Sequence, residues 1–360
     1  DELPWLDTHK SYFLQAFSFF WNNFCSHRDD VLLIVSGSAT SWMKNKIIND
    51  TGGMYNRLTR QIKLLPFNLL ETENFLKYKG FKINRYDIVQ YYMILGGIPH
   101  YLNLLDRGLT LADNIDNLFF KKNAELKKEY NNLFNSIFKG ADKHISIIDA
   151  LSTKLRGMTK KDILATSKLV INGHFSAVIK DLENNDLIDK YYRYPDKERN
   201  SIYQINDNFI FFYHSFLLNK NITNEHYWHD NQLAPIINTW RGYAFEMVCL
   251  QHIRQIKQGL GISGISCSIS SYQDENCQID LLINRADKVI NLCEIKFNKD
   301  EFEIDKTYNK ILMNRLNYFM KLTKYKYTID LTMITMYGIK NNIYKSTVNH
   351  SLNAETLFIS

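Results

Sequence analysis

A pair of short apolar segments joined by a polar turn, at residues 278–297, limits the possible folds of this sequence more than any other stretch. The segments are 278–283 and 289–297, and a polar stretch at 284–288 separates them. Apolar and β-branched residues on both sides of such a turn predict a β-hairpin. Because side chains alternate along a strand, Glu294 and Lys296 share one face, and Asp280 on the first strand can face the same cleft.

Two carboxylates and an ammonium group on an apolar hairpin cost free energy unless they bind something. Metal-assisted phosphodiester hydrolysis uses such a set: Asp280 and Glu294 would hold Mg²⁺, and Lys296 would orient the attacking water. The alternative is a surface hairpin whose charged side chains are merely solvated.

A helix predicted at residues 240–254 adds a further acid. Its apolar residues recur at helical spacing, and Glu246 lies beside that face. The order is a helix with an acid, a strand with Asp280, and a strand with Glu294-Ile-Lys296. It resembles the PD-(D/E)XK nuclease superfamily. The resemblance implies a restriction-endonuclease-like α/β domain at 206–360 with Mg²⁺ as its cofactor. It also implies that Glu246 assists catalysis and that the partner is a nucleic acid, with DNA the first candidate.

A second group of motifs begins at the first residue. The sequence opens with Asp1-Glu2-Leu-Pro-Trp, and the apolar run at 31–38 predicts a buried strand of parallel type that ends in small polar residues. A segment from Gly52 to Arg60, then Leu-Pro-Phe at 65–67 and Gly-Gly-Ile-Pro at 96–99, follow in order. Read without a family, the last motif is a helix stop followed by a proline turn.

This ordered series resembles the archaeal-type ATPases of the AAA+/STAND group. The resemblance implies that Asp1 is a Mg²⁺ ligand, that Glu2 is the catalytic base and that Ser38 is a sensor of ATP. The remaining implied contacts are phosphate sensing by Arg57 or Arg60, across a subunit boundary of a homo-oligomer, and packing of the adenine on Pro99.

One required motif is missing from the sequence. A P-loop ends in Gly-Lys-Ser/Thr, and none of the 15 glycines is followed by lysine. We therefore expect a fragment that begins at the end of a Walker B strand, and ATP binding only in a longer protein.

The predicted organisation is an α/β protein with all-α and winged-helix parts. Residues 1–65 read as alternating strands and helices of a partial P-loop ATPase core, and 66–132 as a helical lid. Residues 133–205 predict three helices and a two-stranded wing, with Thr159 capping the second helix. The third helix offers few base-reading side chains, which favours a lid or partner surface over DNA reading.

Composition bears on localisation and partners. Five cysteines without paired spacing, and no apolar run long enough to span a membrane, favour a reduced cytoplasmic protein. Residues 306–345 are rich in basic side chains and directly follow the hairpin, where they could bind a phosphate backbone. A helix face whose lysines are only solvated explains the same residues equally well.

Two functional hypotheses follow. In the first, a nucleotide-switched ATPase module controls a Mg²⁺-dependent nuclease domain that binds DNA. In the second, the nuclease-like domain is not catalytic and only binds nucleic acid or a protein partner.

Overall fold

The protein is mixed α/β, with one seven-stranded mixed sheet and many helices. The structure, a computed structural model, describes residues 1–38, 40–138, 140–170, 173–195 and 201–360. The α-helices are α1 Leu3–Leu6, α2 Phe13–Asn23, α3 Thr40–Met43, α4 Leu69–Tyr78, α5 Arg85–Leu95, α6 Pro99–Asn103, α7 Leu111–Ile115, α8 Glu129–Ile137, α9 Asp142–Ser152, α10 Lys160–Ser167, α11 Gly173–Asn184, α12 Asn208–Phe216, α13 Tyr227–Asn231, α14 Pro235–Gln251, α15 Ile253–Gly259 and α16 Lys306–Leu322.

The strands are β1 Ile188–Arg193, β2 Ser201–Ile205, β3 Cys267–Gln273, β4 Gln278–Arg285, β5 Val289–Lys296, β6 Thr328–Thr335 and β7 His350–Leu352. Their order in the sheet is β2-β1-β3-β4-β5-β6-β7. Neighbours pair antiparallel from β3 to β5 and between β1 and β2, whereas β1–β3, β5–β6 and β6–β7 are parallel.

The predicted hairpin at 278–297 is confirmed. β4 and β5 pair antiparallel, with Leu281 opposite Cys293 and Asn284 opposite Ile290. Lys288, in the connecting turn, has a positive φ of 65°. The hairpin lies in the middle of the sheet, so its apolar side chains are buried.

The three helices and the two-stranded wing predicted within 133–205 are also present, as α9, α10, α11 and the β1–β2 pair. The Thr159 side chain accepts a hydrogen bond from the Asp162 amide, and the Asp162 side chain accepts one from the Thr159 amide, so Thr159 is the N-cap of α10 as predicted. The predicted tip of the wing, at 196–200, lies outside the described residues.

The sheet continues across the predicted boundary at residue 205. β1 runs parallel to β3, with Tyr192 opposite Ser270 and Arg193 opposite Ser271. The wing hairpin is therefore the edge of the same sheet that contains β4 and β5, so its side chains lie on the same sheet faces as those of β4 and β5.

An aromatic core fixes the position of α14, which packs against both α12 and β5. Phe212, Phe216, Trp228 and Trp240 meet edge to face, with ring centroids 5.2 to 5.7 Å apart. Trp240 and Glu246 both belong to α14, so this packing fixes the part of the helix just before Glu246.

The buried strand predicted at 31–38 is wrong. Residues 31–37 form no strand, and the side chains of Leu32 and Ile34 are 83% and 76% exposed. Apolar runs form strands only when another strand satisfies their backbone groups, and within the described residues this one has none. Residues 1–65 accordingly contain helices but, in their described part, no strand, so the expected strand–helix alternation is wrong as well.

The Gly-Gly-Ile-Pro motif at 96–99 joins two helices. Gly96 caps the end of α5 with a φ of 64°, and Pro99 begins α6. The Phe67 amide donates to the Gly97 carbonyl at 2.8 Å, and a Cβ on Gly97 would lie 1.8 Å from the Phe67 carbonyl oxygen. A helix stop and a close backbone contact therefore account for this motif locally.

Candidate functional site

The sheet register brings the three predicted hairpin residues together. Leu281 pairs with Cys293, so the next residues along, Asp280 and Glu294, stand opposite each other across β4 and β5. Lys296 lies two residues beyond Glu294, and its Nζ is 2.8 Å from Glu294 Oε1. The predicted sharing of one face is therefore confirmed.

Glu246 joins this group from α14. Glu246 and Asp280 line one open cleft of about 470 Å³. The cleft is also lined by Arg156, and by Arg193 from the wing. Glu294 and Lys296 do not line the cleft but lie close enough for their charges to act on Glu246, so the four predicted residues are neighbours. Two cations from outside the predicted nuclease-like region line the same cleft.

Glu294 is almost fully buried, at 1% exposure, and both of its oxygens are occupied. Oε1 accepts from the Tyr308 hydroxyl at 2.6 Å and faces Lys296, and Oε2 accepts from Arg315 at 2.5 Å. Burial alone raises the pKa of a carboxyl, but Lys296 and Arg315 outweigh it and hold the pKa of Glu294 below its usual value. Glu294 is therefore a buried, charged and well-paired carboxylate.

Glu246 and Asp280 are less well compensated. Burial, and then the charge of Asp280, raise the pKa of Glu246 to about 8. Burial, and then the charge of Glu294, also raise the pKa of Asp280. Two half-buried carboxylates that lie close together disfavour each other's ionised form, and a cation between them would remove that penalty.

A hydrogen-bond relay orients Asp280. Arg156 Nη1 donates to Gln278 Oε1, and Gln278 Nε2 donates to Asp280 Oδ1 at 2.8 Å. The Arg156 guanidinium also lies over the Tyr243 ring, 5.2 Å from its centroid. One Asp280 oxygen is thereby fixed in direction, and its other oxygen has no protein donor in the described part of the chain.

The donor set bears on metal binding. In the described residues, no cluster of three or more His, Cys, Asp and Glu side chains has the arrangement of a metal site. Two carboxylates suffice for Mg²⁺, which keeps several waters and uses few protein ligands. Glu246 and Asp280 fit that role, whereas Glu294 would first have to release an oxygen from its cations.

The predicted ATP-contacting residues are only partly brought together. Glu2 Oε2 accepts from the Ser38 hydroxyl at 3.0 Å, and Asp1 accepts from the Ser36 hydroxyl. The structure thus brings Asp1 and Glu2 close to Ser38. The other three residues, Arg57, Arg60 and Pro99, are exposed, and across the described ranges none of them pairs with Asp1 or Glu2.

Four residues of the site were not predicted as such: Tyr308, Arg315, Arg156 and Arg193. Arg315 was counted in the basic stretch at 306–345, but its side chain turns inward to Glu294. A basic residue on the helix after the hairpin was the available signal. Arg193 reaches the cleft through the β1–β3 pairing, and Arg156 reaches it from the segment between α9 and α10. No local pattern indicates either contact.

The comparisons with known proteins leave the family open. The chain is 22% identical over 286 residues to uncharacterized protein MJECL04 of Methanocaldococcus jannaschii, a match that covers 78% of this chain and 63% of that relative. The chain thus spans less than two thirds of the length of the curated relative that it matches. No protein family and no solved structure matches the sequence. Within the described residues, no helix is both long and apolar enough to cross a membrane.

Proposed function

We propose that the cleft between α14 and the β4–β5 hairpin is a divalent-cation-dependent phosphodiesterase site of the PD-(D/E)XK type that acts on nucleic acid. The observation that carries the proposal is the convergence of Glu246, Asp280, Glu294 and Lys296 from a helix and two strands. A solvated surface hairpin would not bury Glu294.

Each residue has a separate role in this proposal. Glu246 and Asp280 would hold Mg²⁺, and Gln278 fixes the direction of one Asp280 oxygen. The bound ion would supply an activated water and stabilise the leaving oxygen. Lys296 is positioned by Glu294 and orients the attacking water or stabilises charge on the phosphate.

A second candidate function is binding without cleavage. It is favoured by the pairing of Glu294 with Arg315 and Tyr308, since those contacts occupy the carboxylate that PD-(D/E)XK nucleases use as a metal ligand. In that case the cleft would bind nucleic acid or a protein partner, and Glu294 would have a structural role.

Cleavage of supercoiled and linear DNA in Mg²⁺ or Mn²⁺ tests the proposal. We expect cleavage that disappears in Asp280→Asn and Lys296→Ala. The matched control is Asp287→Asn, an exposed aspartate in the turn of the same hairpin. Cleavage that persists in Asp280→Asn would refute the proposed site. Intact DNA at every protein concentration would favour the second candidate.

We further propose that the N-terminal residues are one part of an ATP-dependent switch that acts on this cleft. The hydrogen bond from Ser38 to Glu2 supports the proposal, because the family resemblance assigns both residues to ATP, one as catalytic base and the other as sensor. The chain carries no P-loop sequence, so we expect no saturable ATP binding by these 360 residues alone. Tight ATP binding by this chain would refute the assignment.

A further inference from the structure

Two arginines reach the cleft from outside the predicted nuclease-like region. Arg156 lies between α9 and α10, and Arg193 ends β1. The parallel pairing of β1 with β3 places Arg193 opposite Ser271, and both residues line the cleft. The site is therefore assembled from two parts of the chain that were predicted to be separate domains.

Arg156 is held in place by two contacts, but one of its N–H donors makes no hydrogen bond within the described residues. Its Nη1 donates to Gln278, and its guanidinium lies over the Tyr243 ring. Its Nε is buried and has no acceptor among the residues that the structure describes. A buried donor without an acceptor costs free energy, and an anion in the cleft would remove that cost.

Arg193 lies on the same side of β1 as Tyr191, two residues earlier, and both line the cleft. Across the described ranges, its guanidinium takes part in no hydrogen bond or ion pair. Its charge acts on the Asp162 carboxylate, but within the described residues its N–H groups have no acceptor, so the cleft that Glu246 and Asp280 line also holds a guanidinium with free donors.

We propose that Arg156 and Arg193 form an anion subsite that holds the phosphate backbone of a nucleic-acid strand beside the carboxylate pair. The inference rests on the proposed function, because it names what positions the substrate of that site. Carboxylates alone repel a phosphodiester, whereas guanidinium groups donate paired hydrogen bonds to phosphate oxygens. The subsite therefore offsets the repulsion by Glu246 and Asp280.

Binding of a labelled oligonucleotide, single-stranded or duplex, is measured by fluorescence anisotropy in EDTA over a range of salt concentrations. The variants are Arg193→Gln and Arg156→Gln, and circular dichroism checks that each is folded. Lys190→Gln is the matched control, since it removes the same charge from the same strand but its ammonium group lies over Tyr192, on the opposite side of β1.

We expect Arg193→Gln to weaken binding and to reduce the slope of log affinity against log salt by about 1, the loss of one phosphate contact. Lys190→Gln would leave the slope as in the wild type. If Arg156→Gln is not folded, Arg156→Lys keeps the charge, and we expect it to weaken binding because it loses the paired donors. Equal slopes for Arg193→Gln and Lys190→Gln would overturn the inference.

Two further arms separate this inference from its alternatives. Inorganic phosphate and ATP are added as competitors of the oligonucleotide. If either competitor binds the protein as tightly as the oligonucleotide and displaces it, the cleft is a small-anion site and the nucleic-acid subsite is overturned. EDTA excludes metal-dependent cleavage, so the binding result stands apart from the nuclease proposal. Loss of binding in Arg193→Gln without cleavage by the wild type would support the subsite and refute only the nuclease.

Discussion

Replacing Arg315 tests whether Glu294 is held as a charged, buried carboxylate. Glu294 is 1% exposed and accepts from Arg315 at 2.5 Å, while Arg315 itself is 27% exposed. Removing one partner of a buried pair costs about 3–5 kcal/mol. Lys296 and the Tyr308 hydroxyl remain on Glu294, so for Arg315→Met we expect a loss of about 2–3 kcal/mol in the free energy of unfolding.

Urea denaturation at neutral pH measures this loss. Lys310→Met removes an exposed charge from the same helix, and we expect it to change the free energy of unfolding by less than about 0.5 kcal/mol. A double-mutant cycle with Glu294→Gln isolates the pair, and we expect a coupling energy of about 1–3 kcal/mol. Additive effects, or an Arg315→Met variant as stable as Lys310→Met, would refute the reasoning.

The pH dependence gives the same pair a second test. The pKa of Glu294 is lowered in the folded protein, so its stabilising contribution is complete above the unfolded value near 4.3. That contribution is lost as the pH falls through the lower folded value. The stability difference between wild type and Arg315→Met is therefore expected to shrink below about pH 4. A difference that stays constant down to lower pH would show that Glu294 is not the charged partner.

Two further predictions concern other parts of the fold. Gly97→Ala would push a methyl group into the Phe67 carbonyl, so we expect a loss of about 2 kcal/mol or more in urea denaturation; Gly242→Ala, in a helix with open space, is the control and would be neutral or stabilising. The His214 side chain is buried, and burial lowers its pKa to about 4. As the pH falls from about 6.5 to about 4, the unfolded protein binds a proton at this histidine before the folded protein does, so the free energy of unfolding decreases by about 3 kcal/mol at most. We expect His214→Asn, but not the exposed His226→Gln, to flatten stability between those pH values, and an unchanged profile would contradict the burial argument.

Local patterns predicted the hairpin, the three helices and the wing of this chain. The β4–β5 pair and the N-cap at Thr159 depend on residues near each other in sequence, so composition and spacing were enough. The apolar run at 31–38 failed because a strand also needs a neighbouring strand, which its own sequence does not encode.

The acids and Lys296 of the candidate site were predicted, but its arginines were not. Glu246, Asp280, Glu294 and Lys296 follow a spacing that can be read along the chain. The arginines that pair with them or line the cleft come from a turn, from the end of β1 and from α16, and only the assembled sheet brings them together. Apart from the position of Arg315 on the helix after the hairpin, nothing in their local sequence distinguishes these arginines from solvated surface arginines.

Binding of Mn²⁺, measured by isothermal titration calorimetry, tests the central claim that Glu246 and Asp280 form a divalent-cation site. We predict saturable binding that weakens by about tenfold or more in Asp280→Asn and Glu246→Gln. Binding by Asp287→Asn would match the wild type. The absence of saturable binding, or equal affinity in wild type and Asp280→Asn, would contradict the claim.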